Sequence, residues 1–268
     1  MTTQGQPADR RCWLLAAALL VVAACCRPPL PAEPTPPASA RADPVATTAP
    51  PATSAGPAPA PQPDPVEARA ADLATRAAGW EPKVTPLVVD LAARLGGATY
   101  KLEFRLKATD SIIRKLRLRL SEGPAVKLSD VVIDDTLRYT LRFEDEPAGH
   151  HVSAIKQALA ALAADGHQVS RLKNYWPADD NYSGVNCVLR TPDGLLWELQ
   201  FHTTWSLEAA AHTRAWYEEL RRTDCALPRK QELFDLMTQE WNKVPIPAGI
   251  LDPGALGPHE EIRERPRP

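Results

Sequence analysis

Neither sign of charge dominates this chain. Its 31 lysines and arginines face 33 aspartates and glutamates, so a bulk attraction to nucleic-acid polymer or to an acidic membrane surface is not indicated. Long apolar runs are as scarce. The one extended stretch, Trp13 to Ala24, is too short to cross a bilayer comfortably as a permanent helix. Three of the five cysteines lie near the start, leaving Cys187 and Cys225 for the rest. No zinc spacing is formed. In an exported protein those two could pair, but the sequence does not give their separation. No internal repeat is visible.

What is present begins with an address. Arg10 and Arg11 precede the apolar stretch, and small residues follow it up to Cys25. That layout is a secretory signal peptide. Val22-Ala23-Ala24-Cys25 also resembles a bacterial lipobox, in which the cysteine becomes the acylated first residue of the mature protein. Ordinary cleavage after an A-x-A-like site is the alternative. The expectation is a signal peptide over residues 1–25 with lipidation at Cys25, giving a cell-envelope lipoprotein or a secreted protein. Residues 26–64 are mostly Pro, Ala, Thr and Ser. Such a segment buries too little apolar surface to offset its ordering entropy, and its prolines make it an extended spacer of about 3 Å per residue.

Residues 65–245 suit one domain, with 246–268 as a solvated tail. Helical spacing covers Val66 to Ala78 and, beyond two prolines, Pro86 to Leu95. "TYKLEFRLK" from Thr99 alternates, which predicts a strand with Leu102, Phe104 and Leu106 on its apolar side. "DSIIRKLRLRL" predicts a helix capped by Asp110 or Ser111. "DTLRYTLRF" is a second strand, and "HVSAIKQALAALAADG" a helix stopped at Gly166. "QVSRLKNYW", "GVNCVLR" and "LLWELQFH" follow as strands, the last two joined across Thr191 to Gly194. Helices over Ser206 to Leu220 and Lys230 to Trp241 close the series. On the first of these, His212 shares a face with Ala209 and Trp216, which predicts a core histidine. His150 and His151 are read as loop or cap residues, and the remaining tryptophans as core or loop packing. The fold class is mixed α/β (α+β), a five-stranded mixed sheet flanked by helices.

The strands carry polar rows: Arg105 with Lys107, Arg138 with Thr140, and Glu198 with Gln200 and His202. A basic and an acidic set on one face is costly to bury without partners. A magnesium polyphosphate would supply them, with Arg and Lys on phosphate oxygens and carboxylates on the metal. Charges pairing across a half-open sheet would also satisfy the pattern.

The order of blocks resembles the synthetase domain of the RelA/SpoT family, the (p)ppGpp synthetases, a nucleotidyltransferase-like fold. More narrowly, it is similar to the secreted ATP nucleotide 3′-pyrophosphokinases of actinomycetes. "FRLKATDSIIRKL" matches the family's basic strand, Ser-Ile and helix Lys, here Arg105, Lys107, Ser111 and Lys115. "DDTLRYTLRF" stands at its magnesium aspartate, "LKNYW…NYSGVN" at its Lys and base-stacking Tyr, and "ELQFHT" at its Glu-x-Gln-x-Arg-Thr. The likeness covers about 120 residues, Tyr100 to Arg222. It implies transfer of the β,γ-pyrophosphate of ATP to the 3′-hydroxyl of a purine nucleotide, with Mg2+ as cofactor. By the same likeness, Asp135 and Glu198 hold the metal and Glu198 is the catalytic base. Arg105, Lys107, Ser111, Lys115 and Arg138 bind ATP. Lys173, Tyr182, Asn186, Gln200 and His202 meet the acceptor nucleotide.

The chain departs from the family at Asn181, Gly184, Asn186, Arg138, Thr140 and His202, which puts guanine preference in doubt and leaves adenine acceptors expected to serve at least as well. No His-Asp hydrolase signature appears. Asp134 remains an alternative ligand to Asp135, Arg138 can pair structurally with Glu198, and Tyr182 can be a plain loop aromatic. Three classes of function stay open: an active exported pyrophosphokinase, an inactive nucleotide-binding lipoprotein of the same fold, and a protein-binding surface lipoprotein.

Overall fold

The computed structural model describes residues 64–123, 125–176 and 181–262. The signal peptide with Cys25, the linker before Asp64 and the end of the tail lie outside the described residues. No helix among the described residues is long and apolar enough to cross a membrane.

The chain enters through α1, Pro65–Arg94, one continuous helix where the prolines predict a break. Asp64 caps it, its carboxylate accepting from the Val66 amide at 2.8 Å, and Pro65 fits the first turn. Pro82 and Pro86 sit inside the helix, each costing about 3 kcal/mol. They are tolerated because Ala77, Val84, Val88 and Leu91 stay in the core, where large aliphatic side chains contribute about 1.5–3 kcal/mol each.

The alternating segment after it is not the predicted strand. Only Ala98–Thr99, β1, is extended; Lys101 adopts φ 50° and Leu102–Phe104 form a 3-10 turn. The left-handed Lys101 breaks the alternation, so Phe104 is 63% exposed rather than turned inward. The segment still joins β2, Arg138–Arg142, at both ends of the bulge: the Tyr100 amide bonds to Thr140 and the Arg138 amide to Arg105. Between them comes α2, Thr109–Leu120, whose N-cap is Ala108 without a side-chain bond, so neither Asp110 nor Ser111 caps it.

Next are α3, His150–Ala164, β3, Gln168–Asn174, β4, Val185–Arg190, and β5, Leu196–His202. Gly166 (φ 88°) and Gly194 (φ 90°) take the left-handed turns that let the chain reverse. The predicted helix from Ser206 divides into α4, Thr204–His212, and α5, Arg214–Leu220. The break falls at Thr213, whose hydroxyl donates to the Ala209 carbonyl at 2.7 Å. The last helix, α6, spans Leu227–Trp241.

The sheet has six strands, not five, in the order β1-β2-β5-β4-β3-β6. The extra strand, β6 (Glu260–Ile262), comes from the expected tail and runs parallel to β3. Asn174 draws it in, its amide donating to Glu260 Oε1 at 2.7 Å and to the Ile250 carbonyl at 3.0 Å. β2 runs parallel to β5, and β4 runs antiparallel to both of its neighbours, β5 and β3. One face is apolar: Tyr139, Leu141, Leu172, Cys187, Leu189, Trp197, Leu199 and Phe201 are buried and share a core with side chains of α1 and α3.

Smaller expectations are also revised. His212 is exposed and contacts Glu240 at 3.2 Å, while His151 is buried at the start of α3 against the Phe143 carbonyl. Trp205 is 58% exposed. Cys187 and Cys225 are both free; burial pushes the Cys187 thiol up to about 12.

Candidate active site

The alternation that places the apolar residues inward turns a polar set outward. Two rows run across it. In one, Arg138 stands opposite Glu198, Glu198 opposite Val188, and Val188 opposite Arg171. In the other, Thr140, Gln200, Asn186 and Lys173 stand in sequence across four strands, with Glu261 beside Lys173 on the edge strand. The polar residues of β2, β5, β4 and β3 therefore share one face; Lys107 joins them from the bulged segment through Asp135, whereas Arg105 turns away from it to Glu81 of α1.

Glu198 is centred in the first row, its side chain 16% exposed. Burial pushes its carboxyl above the ordinary glutamate range; Arg138 pulls it back, and Asp135 and Asp134 push it further up. Gln200 donates to Glu198 Oε2 at 3.2 Å while accepting from the Thr140 hydroxyl at 3.2 Å. The chain Thr140 to Gln200 to Glu198 fixes the carboxylate's direction.

Asp134 and Asp135 lie in the loop leading into β2. Asp135 accepts from Lys107 at 2.6 Å and Lys115 at 2.9 Å. Burial works against its charge, but the two ammonium groups outweigh it and hold its pKa below the usual carboxylate value. Asp134 is drawn aside by Arg171, Nη2 to Oδ2 2.5 Å. Asp135 lines a cleft and Asp134 does not.

Two clefts adjoin these rows. The first, about 370 Å3, is lined by Tyr100, Phe104, Thr140, Asn186, Gln200 and His202 among others. The second, about 830 Å3, is lined by Lys107, Ser111, Lys115 and Asp135 with further basic residues of α2 and α5. Both volumes suit small-molecule sites. Arg138, Tyr182, Ala210 and Arg214 line both, which makes them the junction.

Most of the expected site residues meet here, with four qualifications. Glu198 lines neither cleft and meets them through Arg138 opposite it. Arg105 lines neither cleft: its Nε is 2.5 Å from Glu81 Oε1, and it also donates to the Leu102 carbonyl. Lys173 holds the far end of the polar row rather than a cleft wall. Tyr182 is 9% exposed, its ring enclosed by Tyr175, His202 and Trp241. A base could stack on that ring only after displacing it. The exposed aromatic in the first cleft is Phe104.

Sequence reading missed Arg114, Arg119, Arg214 and Arg221, which all line the second cleft. The signal was available: Arg214 and Arg221 are seven apart, and Lys115 and Arg119 four apart, so each pair shares a helix face.

No group of three or more metal-ligating side chains forms among the described residues. The donor set still fits magnesium, which is commonly bound through one or two carboxylates with substrate phosphates and waters completing its shell. Asp135 and Glu198 are close enough to influence each other's charge, and both are oxygen donors.

No family model matches this chain, and no curated protein does. Solved structures do. The chain is similar to the type VI effector Tas1, solved with its immunity protein, at 19% identity and TM-score 0.44, over 65% of this chain and 95% of that one. It is similar to a GTP pyrophosphokinase family protein from Streptococcus pneumoniae at 13% identity and TM-score 0.36, over 67% and 85%. The chain is also similar in structure to small alarmone synthetase 1 from Bacillus subtilis bound to its product pppGpp, at 16% identity and TM-score 0.38, over 62% of this chain and 91% of that one.

Proposed function

We propose that this domain is a magnesium-dependent nucleotide 3′-pyrophosphokinase that moves the β,γ-pyrophosphate of ATP to the 3′-hydroxyl of a purine nucleotide. The observation that carries the reading is the pairing of Glu198 with Arg138: a mostly buried carboxylate with a raised pKa, itself lining neither cleft, stands opposite the arginine that lines both the basic cleft and the more neutral one.

The basic cleft takes ATP. Lys107, Lys115, Arg138 and Arg214 neutralise its phosphates, with Ser111 at the mouth of α2. The first cleft takes the acceptor. Glu198 accepts the proton of the 3′-hydroxyl as its oxygen bonds to the β-phosphorus; the bond from that phosphorus to the α,β-bridging oxygen breaks, and AMP leaves. Such a transfer depends mostly on positioning and charge neutralisation. Asp135 and Glu198 would hold Mg2+, whose chemistry is to draw charge from the phosphate oxygens. Lys107 and Lys115, now on Asp135, would pass to the triphosphate.

The export reading is part of the proposal: lipidation at Cys25 would tether the domain to the cell envelope through its proline-rich spacer. Labelling with a palmitate analogue tests it, with loss of label in Cys25→Ala expected.

An inactive binding module is the second reading, favoured by the complete engagement of Asp135 by two lysines. Incubating the purified protein with ATP, Mg2+ and each purine nucleotide in turn separates the two. AMP release with a pyrophosphorylated acceptor is expected. ATP binding without turnover for any acceptor selects the inactive module.

A further inference from the structure

A polar cluster at the edge of the first cleft is ordered beyond what packing requires. The Tyr182 hydroxyl donates to Asn186 Oδ1 at 2.8 Å and lies 3.1 Å from His202 Nε2. His202 Nδ1 lies 2.9 Å from the Ser206 hydroxyl. Ser206 in turn belongs to the capping box with Thr203 that opens α4. His202 and Ser206 are both buried, at 3% and 0% exposure. The cluster leaves no slack: a Cβ on Gly184 would fall 2.7 Å from His202 Cε1 and 3.1 Å from the Tyr182 hydroxyl.

The proton order follows from the directions. Tyr182 spends its one proton on Asn186, so its oxygen must accept from His202 Nε2–H. His202 Nδ1 in the neutral ring then accepts from the Ser206 hydroxyl, which shares its one proton with the Thr203 carbonyl at 3.1 Å. Asn186 has its carbonyl committed, and only its amide NH2 remains to face the cleft that it lines. An asparagine free to rotate would offer a donor or an acceptor at similar cost. This one cannot.

We propose that Ser206, His202 and Tyr182 form a relay that fixes Asn186 as a hydrogen-bond donor, and that this donor selects the acceptor nucleotide by an oxygen or ring-nitrogen lone pair on its base. His202 and Ser206 are positioning residues: they act on the ligand through Tyr182 and Asn186. The inference rests on reading the first cleft as the acceptor site. It also gives the residues at 184, 186 and 202 one shared task, since all three meet at the Tyr182 hydroxyl.

The test is calorimetric titration of ADP, GDP and ATP into the intact protein, its Tyr182→Phe variant, which keeps the ring and loses only the hydroxyl, and its Asn186→Leu variant. The expected wild type distinguishes ADP from GDP. Asn186→Leu weakens the preferred one about tenfold, the scale of one hydrogen bond, and leaves ATP in the basic cleft within about twofold. Tyr182→Phe frees the amide to turn, so the ratio of the two affinities falls toward one, a change that loss of packing alone would not produce. Equal affinities for ADP and GDP in the wild type, or a ratio unmoved in both variants, overturns the relay and leaves the pyrophosphokinase reading standing. No nucleotide bound by the wild type overturns both. If either variant fails to fold, Gly184→Ala, which crowds the relay without deleting a polar group, must shift the same ratio.

Discussion

Arg138 and Glu198 face each other in register across the parallel pair β2 and β5, guanidinium Nε to carboxylate Oε2 at 3.9 Å. That separation is at the outer limit of an ion pair, and Arg138 is 44% exposed, so the arginine does not fully satisfy its partner. The carboxylate stays basic, and the arginine stays available to the cleft junction.

Glu198→Gln separates stability from chemistry. Because burial raises the folded-state pKa, the folded protein holds the Glu198 proton more tightly than the unfolded chain. Stability is therefore lost as pH rises from the unfolded pKa through the raised folded one. The amide removes that penalty, so Tm at neutral pH should rise or hold, and its decline across the mildly acidic range should flatten. Turnover should fall by about 100-fold or more, the scale of a lost general base. Thermal melts across pH, with a single-turnover assay, check both.

Arg105 and Lys107 should part company. Arg105 is paired with Glu81 away from both clefts, while Lys107 lines the basic one. Lys107→Ala should weaken ATP about ten- to hundredfold, from one lost charge-assisted contact. Arg105→Ala should lower Tm with a smaller effect on ATP. Calorimetry and melting of the two single variants give the answer.

Phe104 is the exposed aromatic of the first cleft. Stacking a base on an aromatic ring is worth about 1–3 kcal/mol, so Phe104→Ala should weaken one nucleotide roughly ten- to hundredfold. Its exposure means the fold should not suffer. Fluorescence titration with ADP and ATP would show which nucleotide is affected; the acceptor is expected.

Arg214 lines both clefts and is exposed. A guanidinium at that junction is placed to meet charge as it passes from one nucleotide to the other. Arg214→Ala should lower kcat about ten- to hundredfold while both KM values change by only a few-fold. Arg214→Lys should recover part of the loss. Steady-state kinetics in each substrate resolves the split.

Elements whose signal is local were legible along the chain. Period-two alternation found β2, β3, β4 and β5 within a few residues, because side-chain direction along a strand depends only on position. The same alternation placed Glu198, Gln200, Arg138 and Thr140 on polar faces, and the order of blocks pointed to pyrophosphate chemistry. Tertiary structure decided the rest. The segment from Thr99 to Lys107 alternates as cleanly as β5, yet Lys101 turns left-handed and Phe104 faces out, because that segment joins the edge of β2 only at its ends. Glu260 to Ile262 has no strand signal, and Asn174, 86 residues earlier, supplies the partner that makes it one. Asp135 differs from Asp134 through Lys107, Lys115 and Arg171, residues that only folding brings beside them. A charge's role depends on its neighbours in space, and periodicity reports only its neighbours in the chain.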